Sequence, residues 1–96
     1  MLTSKQRATL KGLANPMETI LQVGKGGIGD ALKKQVDDAL TARELIKLRV
    51  LDNTELTPAQ AAAELAEASR AEVVQVIGSR FVLYRRNPKK PRIELD

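Results

Sequence analysis

The sequence predicts an α/β fold: a single domain, residues 1–96, with the element order α-β-α-β-α-β-β on one mixed four-stranded sheet. The 96-residue chain is long enough for one modest core and too short for two. Stretches with helical periodicity alternate with short runs of strand-forming residues. A helix joins the first two strands, which implies that they are parallel, whereas a two-residue loop joins the last two strands into a hairpin.

The first helix is predicted over residues 4–14. Thr3 and Gln6 have the spacing of a capping box, and an Asn-Pro pair follows the last turn. The apolar positions of this helix recur on one face, which is expected to bury Leu10 and Leu13.

Basic residues concentrate at the two ends of the chain. The net charge is +4 over residues 1–34, −4 over residues 35–79 and +4 over residues 80–96. If the two ends meet in space, they form one positive face that would favour an anionic partner. Solvated surface charge is the alternative interpretation. The first helix contributes three cations to this predicted face: Lys5, Arg7 and Lys11.

A glycine-rich loop is the most informative local pattern. Strand-forming residues 19–23 lead into Gly24, Lys25, Gly26 and Gly27, and an amphipathic helix is expected over residues 28–42. Glycine allows close approach of another backbone, and the start of a helix presents unpaired N–H groups and the positive end of its dipole. The loop is therefore expected to bind anions, with Lys25 adding a full charge. A tight turn that needs glycine only for its backbone angles is the alternative.

The second strand is predicted over residues 44–51. Its alternation places Ile46, Leu48 and Val50 on one face and Lys47 and Arg49 on the other. We expect these two cations to serve in local charge pairing and solvation.

The rest of the chain supplies a helix, a hairpin and a tail. Thr57, Pro58 and Gln60 have the N-cap, N1 and N3 spacing of a helix predicted over residues 58–69. Strands are predicted over residues 72–77 and 80–86, joined by a Gly-Ser loop that suits a type II′ turn. The basic, proline-punctuated segment 87–96 is expected to be a tail too polar to pack, and residues 89–92 are expected to be flexible.

The composition excludes several kinds of chemistry. The chain has no cysteine and no histidine, so it lacks thiolate nucleophiles and both the commonest general base and the commonest metal ligand. We expect no catalytic residue, no metal site and no cofactor, and therefore no enzymatic activity. The sequence shows no signal-like or membrane-spanning apolar run, which predicts a cytoplasmic location and no membrane partner. Nothing indicates an obligate dimer, so a monomer is expected.

Several blocks in order resemble the CRM domain (chloroplast RNA splicing and ribosome maturation) family, especially its small stand-alone bacterial members of the YhbY type. The blocks that carry the resemblance are residues 2–3, 5–7, 10–14, 23–28, 44–47, 74–78 and 82–85. The resemblance implies a fold similar to the C-terminal domain of translation initiation factor three and RNA binding through a G-x-x-G loop, here Gly24 to Gly27. It also implies a partner among precursors of the large ribosomal subunit, since bacterial members are associated with them, whereas plant organelle relatives act in splicing.

The resemblance and the residues together predict an RNA contact made through phosphates. The loop and the following helix would hold phosphate oxygens, and nearby cations would surround them. Only one Phe and one Tyr are present, too few for extensive base stacking, so structured RNA recognised by shape is favoured. The residues predicted to bind RNA are Lys5, Arg7, Lys11, Gly24, Lys25, Gly26, Gly27 and Arg85.

Two alternative functions stay open at this point. Residues 24–29 also match the G-x-G-x-x-G pattern of dinucleotide-binding folds, which requires an acidic residue at the end of the second strand. Glu44 has the required spacing but opens that strand, and Asp52 closes the strand but lies too far along the chain. A protein-docking module on the ribosome is the other alternative, and binding that survives high salt would favour it.

Overall fold

The computed structural model describes residues 2–95, and Met1 and Asp96, the two ends of the predicted domain and tail, lie outside the described residues. The sheet has four strands and is mixed, as the sequence predicted, and helices lie on both of its faces. The elements are α1 (Ser4–Ala14), β1 (Leu21–Val23), α2 (Asp30–Arg43), β2 (Leu45–Val50), α3 (Pro58–Ser69), β3 (Glu72–Ile77) and β4 (Arg80–Tyr84).

The strand order is β1-β2-β4-β3, which the sequence did not specify. β1 and β2 are parallel, as predicted, and β4 pairs antiparallel with both β2 and β3. The ends of β1 and β2 and the start of β4 lie at one end of the sheet, hereafter the loop end, where Val50 N donates to Ser79 O (2.7 Å) and Leu51 N donates to Val23 O (2.9 Å).

The predicted capping box of α1 is present, and the predicted N-cap of α3, Thr57, also forms a capping box. Thr3 Oγ1 accepts from Gln6 N (3.1 Å) and Gln6 Oε1 accepts from Thr3 N (3.0 Å), and Thr57 and Gln60 repeat this arrangement at the start of α3. The β3–β4 loop also agrees with its prediction, since Gly78 has a positive φ of 56°. A type II′ turn places glycine at this position because side chains disfavour that angle.

The second helix begins later than predicted. It starts at Asp30, with Gly29 as an extended N-cap (φ −103°, ψ −180°), instead of at Ile28. Gly27 has a φ of 68°, which interrupts the helical conformation just before this point, and glycine favours the helix interior less than any residue but proline. Ile28 is partly buried against the core instead of lying in the first turn. The glycine turn and the start of α2 are therefore two separate features.

Two apolar clusters pack on opposite faces of the sheet. α2 and α3 cover one face, where Val36, Leu40 and Leu65 pack against strand residues that include Leu48 and Phe81. α1 covers part of the other face, through Leu10 and Ala14 against Leu45, Val74, Val82 and Tyr84. The predicted burial of Leu13 is wrong: its side chain is 47% exposed, because Leu10 and Ala14, four residues apart, provide the face that meets the sheet.

A buried carboxylate fixes the segment after β4. Glu44 is fully buried between α2 and β2, in a conformation with a positive φ of 65°. Its Oε2 accepts from Asn87 N (2.6 Å), and its Oε1 accepts from Arg92 N (2.6 Å) and Ile93 N (2.8 Å). Burial by itself would raise the pKa of Glu44, but these three N–H donors and the nearby charge of Arg86 lower the pKa below its ordinary value.

Asn87 orders the same segment by local hydrogen bonds. Its Oδ1 accepts from Lys89 N (3.0 Å) and Lys90 N (3.2 Å), and its Nδ2 donates to Thr41 O (3.1 Å). Ile93 and Leu95 are partly buried against the α1 cluster. The prediction that this segment is too polar to pack is therefore wrong, because a glutamate distant in sequence supplies the acceptors that its backbone needs. Arg92, at the end of the stretch predicted to be flexible, is one of the residues that this glutamate holds.

Candidate nucleic-acid interface

The glycine loop forms a tight turn at the end of edge strand β1. Gly27 N donates to Gly24 O (2.9 Å), so Lys25 and Gly26 form the tip, and both are exposed. Gly27 has a positive φ of 68°, which explains why glycine occupies that position. Gly26 has no such requirement, and a Cβ there would meet no atom within 4 Å. Its lack of a side chain leaves the tip open to another molecule.

The start of α2 presents a second potential anion contact. No side chain caps this helix, so the N–H groups of its first turn have no side-chain partner. The positive end of the helix dipole adds to their attraction for an anion. Asp30, exposed in the first turn, opposes that attraction with its own negative charge.

Arg7 is tied to the edge of the sheet. Its Nη1 donates to Val73 O and to Val74 O (3.3 Å), at the point where the pairing of β3 with β4 shifts register. This guanidinium therefore links α1 to β3 and satisfies carbonyl groups of an edge strand. Lys11, in the last turn of α1, is exposed, and Lys5 is exposed in the first turns.

Arg85 lies at the opposite end of the sheet from the glycine loop, since β4 runs away from the loop end. Its Nη1 contacts Asp37 Oδ1 (2.6 Å) and Ser69 O (2.8 Å), and its Nη2 donates to Asp37 O (3.0 Å) and Thr41 Oγ1 (2.8 Å). Its side chain is 23% exposed. The structure thus uses Arg85 to join α2, α3 and the end of β4, and does not bring it together with the loop.

The eight predicted residues therefore fall into separate groups. Gly24, Lys25, Gly26 and Gly27 lie together in the turn, whereas α1 with its three cations lies on the opposite face of the sheet from α2. A single patch joining them would have to wrap around the edge of the sheet beside β1. Its existence stays a prediction.

Arg80 is not among the residues that the sequence predicts to bind RNA. Arg80 and Arg49 are exposed and directly paired across β4 and β2 at the loop end of the sheet. Strand alternation places Arg49 and Lys47 on the α1 face, and Lys47 Nζ donates to Asn15 O (3.2 Å) at the end of α1. No sequence pattern could have paired Arg49 with Arg80, because their proximity depends on the strand order.

Metal-binding groups and membrane-spanning helices are absent from residues 2–95. No group of three or more carboxylates within that part of the chain is arranged to hold a metal ion. None of its helices is long and apolar enough to cross a membrane.

Comparison with known proteins agrees with the resemblance seen in the sequence. Residues 2–85 match the family model described as the CRS1 / YhbY (CRM) domain. The chain is 45% identical to YqeI of Bacillus subtilis, named a probable RNA-binding protein, over 99% of both chains. It is 32% identical to a Haemophilus influenzae protein named an RNA-binding protein, over 88% of this chain and 85% of the relative.

A solved structure shows the same fold. The solution structure of the hypothetical protein SAV1595 from Staphylococcus aureus, for which an RNA-binding role is suggested, superimposes with a TM-score of 0.83. Its sequence is 48% identical, and the match covers 100% of both chains.

Proposed function

Since the chain belongs to the CRS1 / YhbY (CRM) domain family, we propose that it is a non-enzymatic protein that binds structured RNA through residues 24–27. Relatives named as RNA-binding proteins support the class of ligand. The observation that carries the proposal is the exposed glycine turn, which offers backbone N–H groups and Lys25 without an obstructing side chain at Gly26.

The mechanism relies on contacts to phosphate. The N–H groups at the tip of the turn donate to phosphate oxygens, Lys25 neutralises charge, and the start of α2 adds the field of its dipole. Such contacts fix the position of an RNA backbone but do not read its bases. Phe81 and Tyr84, the aromatic residues of the chain, are both buried, which favours recognition of RNA shape over base stacking.

We assign the RNA to precursors of the large ribosomal subunit, and the location to the cytoplasm. The support is the resemblance to stand-alone bacterial members of the family. Sucrose-gradient fractionation of cell extract followed by crosslinking and sequencing of bound RNA tests this assignment. Comigration with large-subunit precursors and crosslinks in ribosomal RNA are expected, whereas crosslinks confined to other RNAs would reassign the ligand.

Neither alternative function gains support from the site. A dinucleotide site needs an acidic residue at the end of the second strand with the correct spacing from the glycine loop. Glu44 has that spacing but lies at the opposite end of β2, and its carboxylate already accepts three hydrogen bonds. Asp52 follows β2 at the loop end but lies too far along the chain from the first glycine to match the pattern. A protein-docking module would bind with little salt dependence. If about four phosphates are engaged, the RNA affinity should instead fall with salt at a log–log slope of roughly −3 to −4.

The substitution Gly26→Asp tests the loop. An acidic side chain at the tip should repel phosphate and obstruct its approach, so RNA affinity should fall by about tenfold or more. The fold should be unaffected, because the site is open and the backbone angle suits a side chain. Binding to an RNA hairpin and thermal melting are measured together.

Ala63→Asp is the matched control, since it makes the same change in charge at an exposed position of α3. It should leave RNA affinity nearly unchanged. If the Gly26→Asp protein is folded and binds RNA as tightly as the control, the loop does not bind RNA and serves only as a turn.

A further inference from the structure

A row of four exposed side chains crosses all four strands near the loop end of the sheet. The register pairs Ile77 with Arg80, Arg80 with Arg49, and Arg49 with Gln22. Side chains that are paired across strands point to the same face, and here that is the face on which α1 packs. We call these four residues the sheet row.

The sheet row is not covered by α1. The residues that α1 contacts lie farther along the strands, toward Leu45 and Tyr84, and all four members of the sheet row remain exposed. Ile77 is 59% exposed, although an isoleucine at this position would be expected to pack if the helix reached it. A groove of about 180 Å³ separates the end of α1 from the row and leaves space beside Arg80.

The two arginines of the sheet row form a like-charge pair. Adjacent strands are about 4.8 Å apart, and like charges directly opposite each other destabilise a sheet. Among residues 2–95, neither guanidinium has a hydrogen-bond or ion-pair partner, and the row contains no carboxylate. This contrasts with Arg7 and Arg85, whose guanidinium groups are held by acceptors of the protein. The pair is therefore suited to an anionic ligand that lies across both strands.

The sheet row also leads to the glycine loop. Gln22 belongs to β1 and precedes Gly24 by two residues, so the row ends beside the turn that offers N–H groups to phosphate. A polyanionic strand lying along the row would place successive phosphates near Arg80, Arg49 and the turn. A small isolated anion would not need contacts spread over two strands and the turn.

We propose that the sheet row is a second RNA contact, which binds the phosphate backbone continuing from the glycine loop through Arg49 and Arg80. This inference rests on the proposed function and extends it to the face of the sheet. It assigns Arg49 to ligand binding instead of local charge pairing. Lys47, bonded to the end of α1, has a structural role beside it.

The test variant is Arg49→Gln with Arg80→Gln, measured by titration of a fluorescent RNA hairpin at several salt concentrations. Its affinity should fall about 2- to 30-fold, since each exposed charge contact contributes modestly. Loss of two phosphate contacts should also make the log–log salt slope less steep by about 1.4 to 1.8. Thermal melting should not decrease, because the double variant removes a repulsive pair.

The matched control is Arg43→Gln with Arg92→Gln, which removes two exposed arginine charges beside Glu44, at the other end of the sheet. The control should retain most of the affinity and nearly the parent salt slope. Equal losses in the two double variants would overturn the proposal, because net charge alone would then explain them.

Further arms separate this inference from the proposed function. If the parent binds the hairpin and Gly26→Asp weakens that binding, but the Arg49/Arg80 double variant binds like the parent, the sheet-row proposal is refuted and the proposed function stands. If the parent does not bind RNA, both proposals fail. A DNA hairpin of the same sequence distinguishes the polyanions: an effect of the double variant on DNA affinity alone would overturn the assignment to RNA.

Discussion

Glu44 holds the segment after β4 to the rest of the protein, and the substitution Glu44→Gln tests that role. Glutamine has nearly the same shape but carries no charge and only one acceptor oxygen. If its oxygen replaces Oε1, the bonds from Arg92 N and Ile93 N persist as weaker neutral bonds. Its NH₂ group then faces Asn87 N, where a second acceptor is needed.

The cost follows from these contacts. An unsatisfied buried donor costs about 1–3 kcal/mol, and two bonds to a charged acceptor become ordinary ones, so the free energy of unfolding should fall by about 2–4 kcal/mol. For a domain of this size the melting temperature should fall by at least about 8 °C. Hydrogen exchange should accelerate most at the amide of Asn87, which loses its acceptor, and less at the amides of Arg92 and Ile93. Glu64→Gln, at an exposed position of α3, is the control and should melt like the parent.

The pH dependence gives an independent check with a defined sign. The pKa of Glu44 in the folded state lies below its ordinary value of 4.5, so its contribution to stability is fully present above that value. The contribution is lost as the pH falls through the folded pKa. The difference in stability between parent and Glu44→Gln should therefore be largest near pH 7 and narrow below pH 4.5. A constant difference across this range, or equal melting at pH 7, would refute the role assigned to the carboxylate.

Three further predictions concern residues whose roles the structure separates. Arg85→Ala should lower the free energy of unfolding, measured in urea, by about 1–2 kcal/mol, because it removes the bonds to Asp37, Ser69 O and Thr41. Arg43→Ala, the control, should change this free energy little. Unchanged stability of Arg85→Ala together with lost RNA binding would show that Arg85 binds phosphate. Gly27→Ala should cost about 1–2 kcal/mol through its positive φ while Gly26→Ala melts like the parent, and equal melting of both would contradict the turn geometry. Arg7→Ala should reduce both melting temperature and RNA affinity, but Lys11→Ala only affinity; a destabilised Lys11 variant would show that charge on α1 is structural throughout.

The features that the sequence predicted well depend on neighbouring residues. The capping box of α1, the N-cap of α3 and the glycine of the β3–β4 loop follow from residues at most three positions apart. The parallel pairing of β1 and β2 follows from the helix between them. The errors arose where several local solutions compete. Leu13 satisfies a helical pattern as well as Ala14 does, and only the sheet beneath α1 determines which one is buried.

The hydrogen-bond partners of several charged side chains could not be predicted, because these partners are distant in sequence and no local pattern contains them. The spacing of Glu44 from the glycine loop matches that of a nucleotide ligand, but its carboxylate oxygens accept from backbone groups 43 to 49 residues away. Arg7 reaches carbonyl groups 66 and 67 residues along the chain, and Arg85 reaches Asp37 across 48 residues. Such pairings require the strand order β1-β2-β4-β3, which is a property of the whole fold.

The number of cations in a sequence is therefore a poor guide to where a polyanion binds. A guanidinium that already donates to backbone carbonyls has its orientation fixed by them and fewer of its five N–H donors left for a phosphate, so it gains less from that ligand. An exposed guanidinium beside another one gains from the same phosphate, because the ligand also removes their mutual repulsion. By this reasoning Arg7 acts on RNA mainly by holding α1 to β3, whereas Arg49 and Arg80 act directly. Charge-neutralising substitutions at Arg49 and Arg80 should thus make the salt slope of RNA binding less steep without lowering stability. Those at Arg7 should lower stability and leave the salt slope nearly unchanged.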